Sequence, residues 1–137
     1  MSYSYNGGAN TLISFKNDID DFVKWIKKLP LFYEDDKFIY VHAGLNLNYP
    51  IREQTEDDLL WVREEWTDRL NTLNKTVIFG HTPVQWITNN NLQKEPLFYD
   101  NKIAIDTGGC FDNGRFTALI IDKNNNITYK QVEGIKK

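Results

Sequence analysis

Two stretches of this 137-residue chain end an apolar, β-branched run on a histidine: Phe38-Ile39-Tyr40-Val41-His42-Ala43-Gly44 and Thr76-Val77-Ile78-Phe79-Gly80-His81-Thr82-Pro83. They hold the only two histidines in the sequence. The pattern predicts each at the point where a buried strand gives way to a tight turn. In an open α/β sheet the carboxyl ends of the strands are where ligands collect. Neutral imidazole is the commonest transition-metal ligand, so His42 and His81 on neighbouring strand ends could supply half of a metal shell. A strand-end histidine can equally be a turn residue whose ring is satisfied by backbone groups.

Arg63 is the third residue whose type and position could carry chemistry. The segment after Thr55 reads as a helix with Leu59, Val62, Trp66, Leu70 and Leu73 on one face, and Arg63 falls inside that apolar stripe. Either its stem packs and its guanidinium reaches water or a carboxylate such as Glu64 or Asp68, or its planar fork faces a cleft and binds an oxyanion through paired hydrogen bonds. Cys110 is the only cysteine. With no Cys neighbours for a zinc cluster and no partner for a disulfide, it reads as a small packing residue.

The elements that must position these residues are compatible with one domain over residues 1–137. With 41% hydrophobic and 14% aromatic side chains, the chain can bury one core and is too short for two. Sixteen basic against nineteen acidic residues give a net charge of -3, spread along the sequence. Nucleic acid is therefore not an expected partner, since phosphate-backbone binding needs a clustered basic face. No apolar run approaches the roughly 20 residues that cross a bilayer, and the first residues lack the charged and apolar regions of a signal peptide. No membrane partner and a cytoplasmic location are the expectations.

Along the chain, Asn6-Gly7-Gly8 is turn chemistry and Thr11-Leu12-Ile13-Ser14-Phe15 is too short to assign. From Asn17, Ile19, Phe22, Val23, Ile26 and Leu29 form one helical stripe that Pro30 stops, with Asp18, Asp20 and Asp21 near its start and Lys27 and Lys28 near its end. Leu31-Phe32-Tyr33 and Phe38-Ile39-Tyr40-Val41 flank an acidic turn and predict a hairpin. Thr55 with Asp58 three residues on resembles a capping box. Residues 84–91 read as loop or short helix, 97–99 and 102–105 as a hairpin about Asp100-Asn101, and 116–121 with 127–132 as a last hairpin. Only the tail Ile135-Lys136-Lys137 looks free.

Taken in order, four motifs carry a resemblance: Tyr40-Val41-His42-Ala43-Gly44, Leu60-Trp61-Val62-Arg63-Glu64, Ile78-Phe79-Gly80-His81-Thr82-Pro83, and Ile105-Asp106-Thr107-Gly108-Gly109 with Thr117-Ala118-Leu119. Together they resemble the calcineurin-like metallophosphoesterases, in the phosphoprotein-phosphatase branch of bacterial and phage enzymes that includes the diadenosine tetraphosphatases. Asn6-Gly7-Gly8-Ala9-Asn10-Thr11 is similar to a segment such enzymes carry after their first catalytic half.

The resemblance implies an α/β layered sandwich of mixed sheets flanked by helices, and a dinuclear centre that activates water for direct attack on a phosphate ester. His42 and His81 would be ligands of the second metal, with manganese first in expectation and iron, zinc or nickel compatible. Arg63 would hold the substrate phosphate. The family's upstream motifs, Gly-Asp-x-His-Gly, Gly-Asp-x-x-Asp-Arg-Gly and Gly-Asn-His, do not occur in this chain. It therefore resembles the C-terminal half of such an enzyme, without a catalytic acid or bridging carboxylate of its own. Asp106 has no ligand role in the family. The expected substrate is a phosphorylated protein or a small phosphoester, with a dinucleoside polyphosphate hydrolase or a non-catalytic interaction module as alternatives. If half a sandwich is missing, apolar surface at Phe38, Tyr40, Ile78 and Trp61 should be uncovered and invite the missing half or self-association.

Overall fold

The computed structural model describes residues 13–15 and 19–134. The Asn6-Gly7-Gly8 turn and the Ile135-Lys136-Lys137 tail lie outside them. Contacts divide the chain into two compact units, Met1–Pro30 and Leu31–Lys137.

In the first unit residues 13–15 are helical and helix α1 spans Ile19–Ile26. Asp20 and Asp21 stand in its first turn and Lys24 in its last, the arrangement the helix dipole favours, and Lys24 pairs with Asp21 at 3.0 Å. The helix stops short of Leu29. Its last carbonyls are taken by tighter bonds such as Lys28 N–H to Trp25 O and Leu29 N–H to Ile26 O, because Pro30 disfavours helical backbone at the residue before it.

The second unit is built on a five-stranded mixed sheet. Its strands are β1 (Phe32–Glu34), β2 (Phe38–Val41), β3 (Thr76–Phe79), β4 (Leu97–Tyr99) and β5 (Lys102–Ala104) in the order β1-β2-β3-β5-β4. The three central strands are parallel, and each edge strand is the antiparallel arm of a hairpin. Asp100 and Asn101 both take positive φ, 47° and 57°, which the two-residue β4–β5 turn requires.

Register fixes which side chains share a face. Ile39, Val77, Phe79 and Ala104 lie on one side, where short helices α2 (Glu56–Leu60), α3 (Glu64–Thr67) and α4 (Val84–Ile87) bring in Leu59, Trp66 and Val84 to complete a core. Phe38, Ile78 and Ile103 lie on the other, against Leu119, Ile121 and Ile127 of the two-stranded hairpin β6 (Arg115–Ile121) and β7 (Ile127–Glu133). The result is the expected layered α/β architecture, with the sheet flanked by helices on one face and by a hairpin on the other.

Two expectations change. Phe38 and Ile78 are not uncovered; each is only 5% exposed, because the chain's own last hairpin covers that face. Tyr40 is half-buried with its hydroxyl on Asp35, and only Trp61 stands out, at 64% exposure. Nor is there one helix from Thr55 to Leu73. The Thr55–Asp58 capping box forms as expected, but α2 ends at Leu60 and α3 starts at Glu64, leaving Leu70 exposed. A continuous helix would drive Arg63 into the core beside Leu59 and Trp66. The break at 61–63 lets both of those bury while the guanidinium turns away, avoiding the cost of an unpaired buried charge.

Two contacts hold α3 to the sheet. Trp66, fully buried, lies over the backbone of Gly44, where an added Cβ would collide with the indole. At the other end of α3, the ammonium of Lys102, a residue only 1% exposed, donates to the carbonyls of Trp66 (3.2 Å), Thr67 (2.9 Å) and Arg69 (2.7 Å). It also lies over the rings of Tyr99 and Trp66, 4.4 and 5.0 Å from their centroids. A cation is favoured at a helix C-terminus, and all three of its donors are used. Burial lowers its pKa, with Asp100 and Asp68 pulling the other way.

Gly44→Ala should destabilise the fold by about 1–3 kcal/mol, the usual cost of forcing a methyl group into a filled core. A lowered urea midpoint with an unchanged slope is the expected result.

Candidate functional site

The carboxyl ends of the three parallel strands converge. His42 follows β2 directly, and its carbonyl accepts from Gly80 N–H at 2.8 Å, carrying the β2–β3 pairing beyond the last strand residue. Ile105 N–H likewise donates to Phe79 O (2.8 Å), and the Asp106 carbonyl accepts from Val84 N–H (2.8 Å), so the end of β5 is tied to β3 and α4. His81 has φ 65°, a left-handed conformation uncommon outside glycine that turns its ring out of the strand's alternation.

As a result, His42 Nε2 and His81 Nδ1 lie 3.1 Å apart, with ring centroids at 4.8 Å. Without a metal the pair shares one proton as a hydrogen bond. Two nitrogens at this spacing can also both reach a single ion at about 2.0–2.1 Å. Ligation requires neutral imidazole, and the surroundings favour it. Loss of solvent lowers the pKa of each ring. The Arg63 charge lowers both further, His42 also lowers His81, and Asp106 pulls both back up. His81 Nε2 is buried without a hydrogen bond of good geometry, and the Trp61 backbone is the weakest influence on its pKa. The exposed Trp61 ring packs perpendicular to the His81 ring, 5.7 Å between centroids.

Arg63 precedes α3 as its N-cap residue rather than lying within a helix. Its Nη1 donates to the His81 carbonyl (3.1 Å) and to Thr82 Oγ1 (3.3 Å), and its guanidinium carbon sits 5.4 Å from the centre of the Trp86 ring. Neither Glu64 nor Asp68 pairs with it among the described residues. Its bonds to protein run through Nη1, so the Nε–Nη2 edge, which matches two oxygens of a phosphate, remains uncommitted among the described residues.

The structure thus brings His42, His81 and Arg63 together. It also adds Asp106, whose charge reaches both rings while its Oδ1 accepts from Gly108 N–H (3.0 Å). The signal for Asp106 was present in the sequence, as an acid ending a third strand with the same grammar. Thr82 and Trp86, which brace Arg63, had no such signal, since their roles depend on the turn at His81. Cys110 is exposed rather than packed, because it lies in the turn that follows Gly108 and Gly109.

Among the described residues no group of three or more His, Cys, Asp or Glu side chains is placed to hold a metal ion. Within the described residues His42 and His81 could therefore supply two positions of a metal shell and no more. Among the described residues no helix is long and apolar enough to cross a membrane.

No family model matches the chain, and no solved structure matches it significantly. It is similar to the bis(5'-nucleosyl)-tetraphosphatase PrpE [asymmetrical] of Anoxybacillus flavithermus, with 29% identity over 115 residues, covering 72% of this chain and 42% of that protein. The corresponding Bacillus thuringiensis protein is 26% identical over 117 residues, covering 73% of this chain and 43% of its own length. The chain thus spans less than half the length of these relatives.

Because both histidines have folded-state pKa values below the ordinary 6.5, the unfolded chain protonates first on acidification. Their contribution to stability is complete above about pH 6.5 and is lost as the pH falls through the folded values. The two imidazole Cε1–H resonances should both titrate below 6.5, and the urea midpoint should fall between pH 7 and 5. His81→Gln should flatten that fall.

Proposed function

We propose that this chain is the second-metal and phosphate-holding part of a metal-dependent phosphoester hydrolase, and that its substrates are dinucleoside polyphosphates rather than phosphorylated proteins. The observation that carries the reading is the His42 Nε2–His81 Nδ1 pair at 3.1 Å with Arg63 bonded to the backbone of the same His81. The names of the relatives favour the dinucleotide substrate over a serine/threonine protein phosphatase.

A divalent ion, manganese first among the compatible metals, would supply Lewis-acid stabilisation and a lowered pKa for bound water. His42 would present Nε2 and His81 Nδ1, both kept neutral by desolvation and by the nearby guanidinium. Arg63, braced through Nη1, would take two phosphate oxygens on its free edge and hold the ester beside the histidines. Asp106 balances the local positive charge without leaving its bond to Gly108. Among the described residues this ligand set is incomplete, so the chain by itself is expected to turn over poorly. The remaining ligands and the leaving-group acid would come from a segment with the upstream motifs of the family, in the same polypeptide, a partner chain or a self-associated complex.

The test compares hydrolysis of diadenosine tetraphosphate, p-nitrophenyl phosphate and a phosphoserine peptide, in millimolar manganese, by the chain alone and with the preceding half of the Bacillus thuringiensis relative supplied. Activity near the assay floor alone, restored by the added half and highest on the dinucleotide, is expected. His42→Ala or His81→Ala should abolish what is restored. Arg63→Lys, which keeps the charge and loses the fork, should raise KM by about tenfold or more with metal affinity unchanged. Robust metal-dependent turnover by the chain alone would overturn the assignment of an incomplete site. Preference for the phosphopeptide would overturn the substrate class.

A further inference from the structure

Arg63 is bonded to protein through one atom. Its Nη1 donates to the His81 carbonyl at 3.1 Å and to Thr82 Oγ1 at 3.3 Å, both at the long end for such bonds. Two long bonds through a single nitrogen hold a pivot and constrain the guanidinium plane only weakly. Paired bonding to two oxygens of a phosphate needs that plane set, because both N–H groups of the free edge must point at the anion together.

The Trp86 ring supplies the missing constraint. The guanidinium carbon lies over its face, 5.4 Å from the centroid, where the negative side of the π system attracts the cation. Turning about the pivot would carry the guanidinium off that face. The indole stands on fixed backbone. Trp86 belongs to α4, whose Val84 is fully buried in the core and donates its N–H to the Asp106 carbonyl at 2.8 Å. Its neighbour Gln85 is tied through Nε2 to the carbonyls of Gln93 and Thr107.

Core packing does not account for the ring. It is 58% exposed, lies outside both buried clusters and borders a glycine-lined cavity of about 300 Å³. Its one aromatic neighbour among the described residues is Phe111, 6.3 Å away and tilted by 31°. A tryptophan left this open to water buries little apolar surface, and its contact with the guanidinium is what it adds to the site.

From this juxtaposition we propose that Trp86 is a positioning residue for anion capture: its face sets the plane of the Arg63 guanidinium so that the Nε–Nη2 edge meets two phosphate oxygens at once. The proposal deepens the phosphate-holding role given to Arg63 above and rests on it. Trp86 acts through Arg63 rather than on the substrate.

The experiment follows the Arg63 Nε–H resonance of the full, metal-free chain by NMR, with inorganic pyrophosphate as the probe. It compares the wild type with Trp86→Ala, Trp86→Phe and Trp86→Leu. Before any anion is added, Trp86→Ala should raise the mobility of the Arg63 side chain, read from the Nε–H heteronuclear NOE, and remove the ring-current shift of the indole. It should then weaken pyrophosphate about two- to fivefold, the range expected of an exposed cation–π contact. Phenylalanine, which keeps a face, should restore most of both readouts, whereas leucine, which keeps only apolar bulk, should restore neither. The urea midpoint should hold across the series because the ring is exposed. Unaltered mobility and affinity in Trp86→Ala, or leucine matching phenylalanine, would overturn the positioning role. So would a lowered urea midpoint that phenylalanine and leucine restore equally, which would mark the ring as packing. The two readings fail differently. If pyrophosphate leaves Arg63 of the wild type untouched, the phosphate-holding role falls and takes the positioning role with it; if pyrophosphate binds and Trp86→Ala matches the wild type, the positioning role falls alone.

Discussion

The hydrogen bond from Gly80 N–H to the His42 carbonyl is the constraint on which the site depends. Parallel strands bond at even spacing, so once Ile39 is set opposite Val77 and Tyr40 opposite Ile78, the next step fixes the end of β2 against the end of β3. A one-residue slip would send every side chain of β2 to the wrong face, exchanging the layer that packs against helices with the layer that packs against the hairpin. The distance between His42 and His81 is thus a consequence of two cores, one on each side of the sheet. It depends as well on the turn at His81. The positive φ at His81 then turns a residue that would otherwise face the helical layer toward its partner. Strain of this kind persists only where the surroundings over-determine it, and residues held so cluster at functional positions.

The same logic extends to β5. Its pairing with β3 brings Asp106 to the edge as a third strand-end side chain, and the Gly108 turn beyond it makes room for Gln85 and Phe111. One row of strand ends therefore holds, side by side, the paired imidazoles, the carboxylate that moderates their charge and the glycine-lined cavity. Arg63 enters from the helical layer and is bonded to the His81 carbonyl, so the two layers meet at the site.

Much of this was legible in the sequence because strands and hairpins advertise themselves locally. The runs ending at His42 and His81, the Asp100-Asn101 turn and the Thr55 capping box are patterns of neighbouring residues, and each formed where it was read. What was not legible depends on contacts distant in sequence. The stripe from Leu59 to Leu73 has helical period, yet the helix breaks because Trp66 must meet Gly44, twenty-two residues earlier, without burying Arg63. The cover over Phe38 and Ile78 comes from a hairpin that the order of elements alone does not assign to either face. Asp106 has no ligand role in the family that its motif resembles, although its place at a strand end carries the physical signal. Cys110 followed a compositional rule that says nothing of which side of a turn a residue occupies.

The Lys102 ammonium, held by three carbonyls at the end of α3, reaches further than its own burial. With Trp66 seated on Gly44 as well, the short segment that begins at Arg63 is fastened both to β5 and to the turn that follows β2. The guanidinium is therefore carried on backbone that has already surrendered most of its conformational freedom during folding. In the phosphate-holding role proposed for Arg63, an anion would meet a receptor whose ordering was completed beforehand, with little entropy left to lose on association. Loosening the Lys102 clamp would then weaken that proposed capture by softening the platform, with no change to any atom the anion would touch.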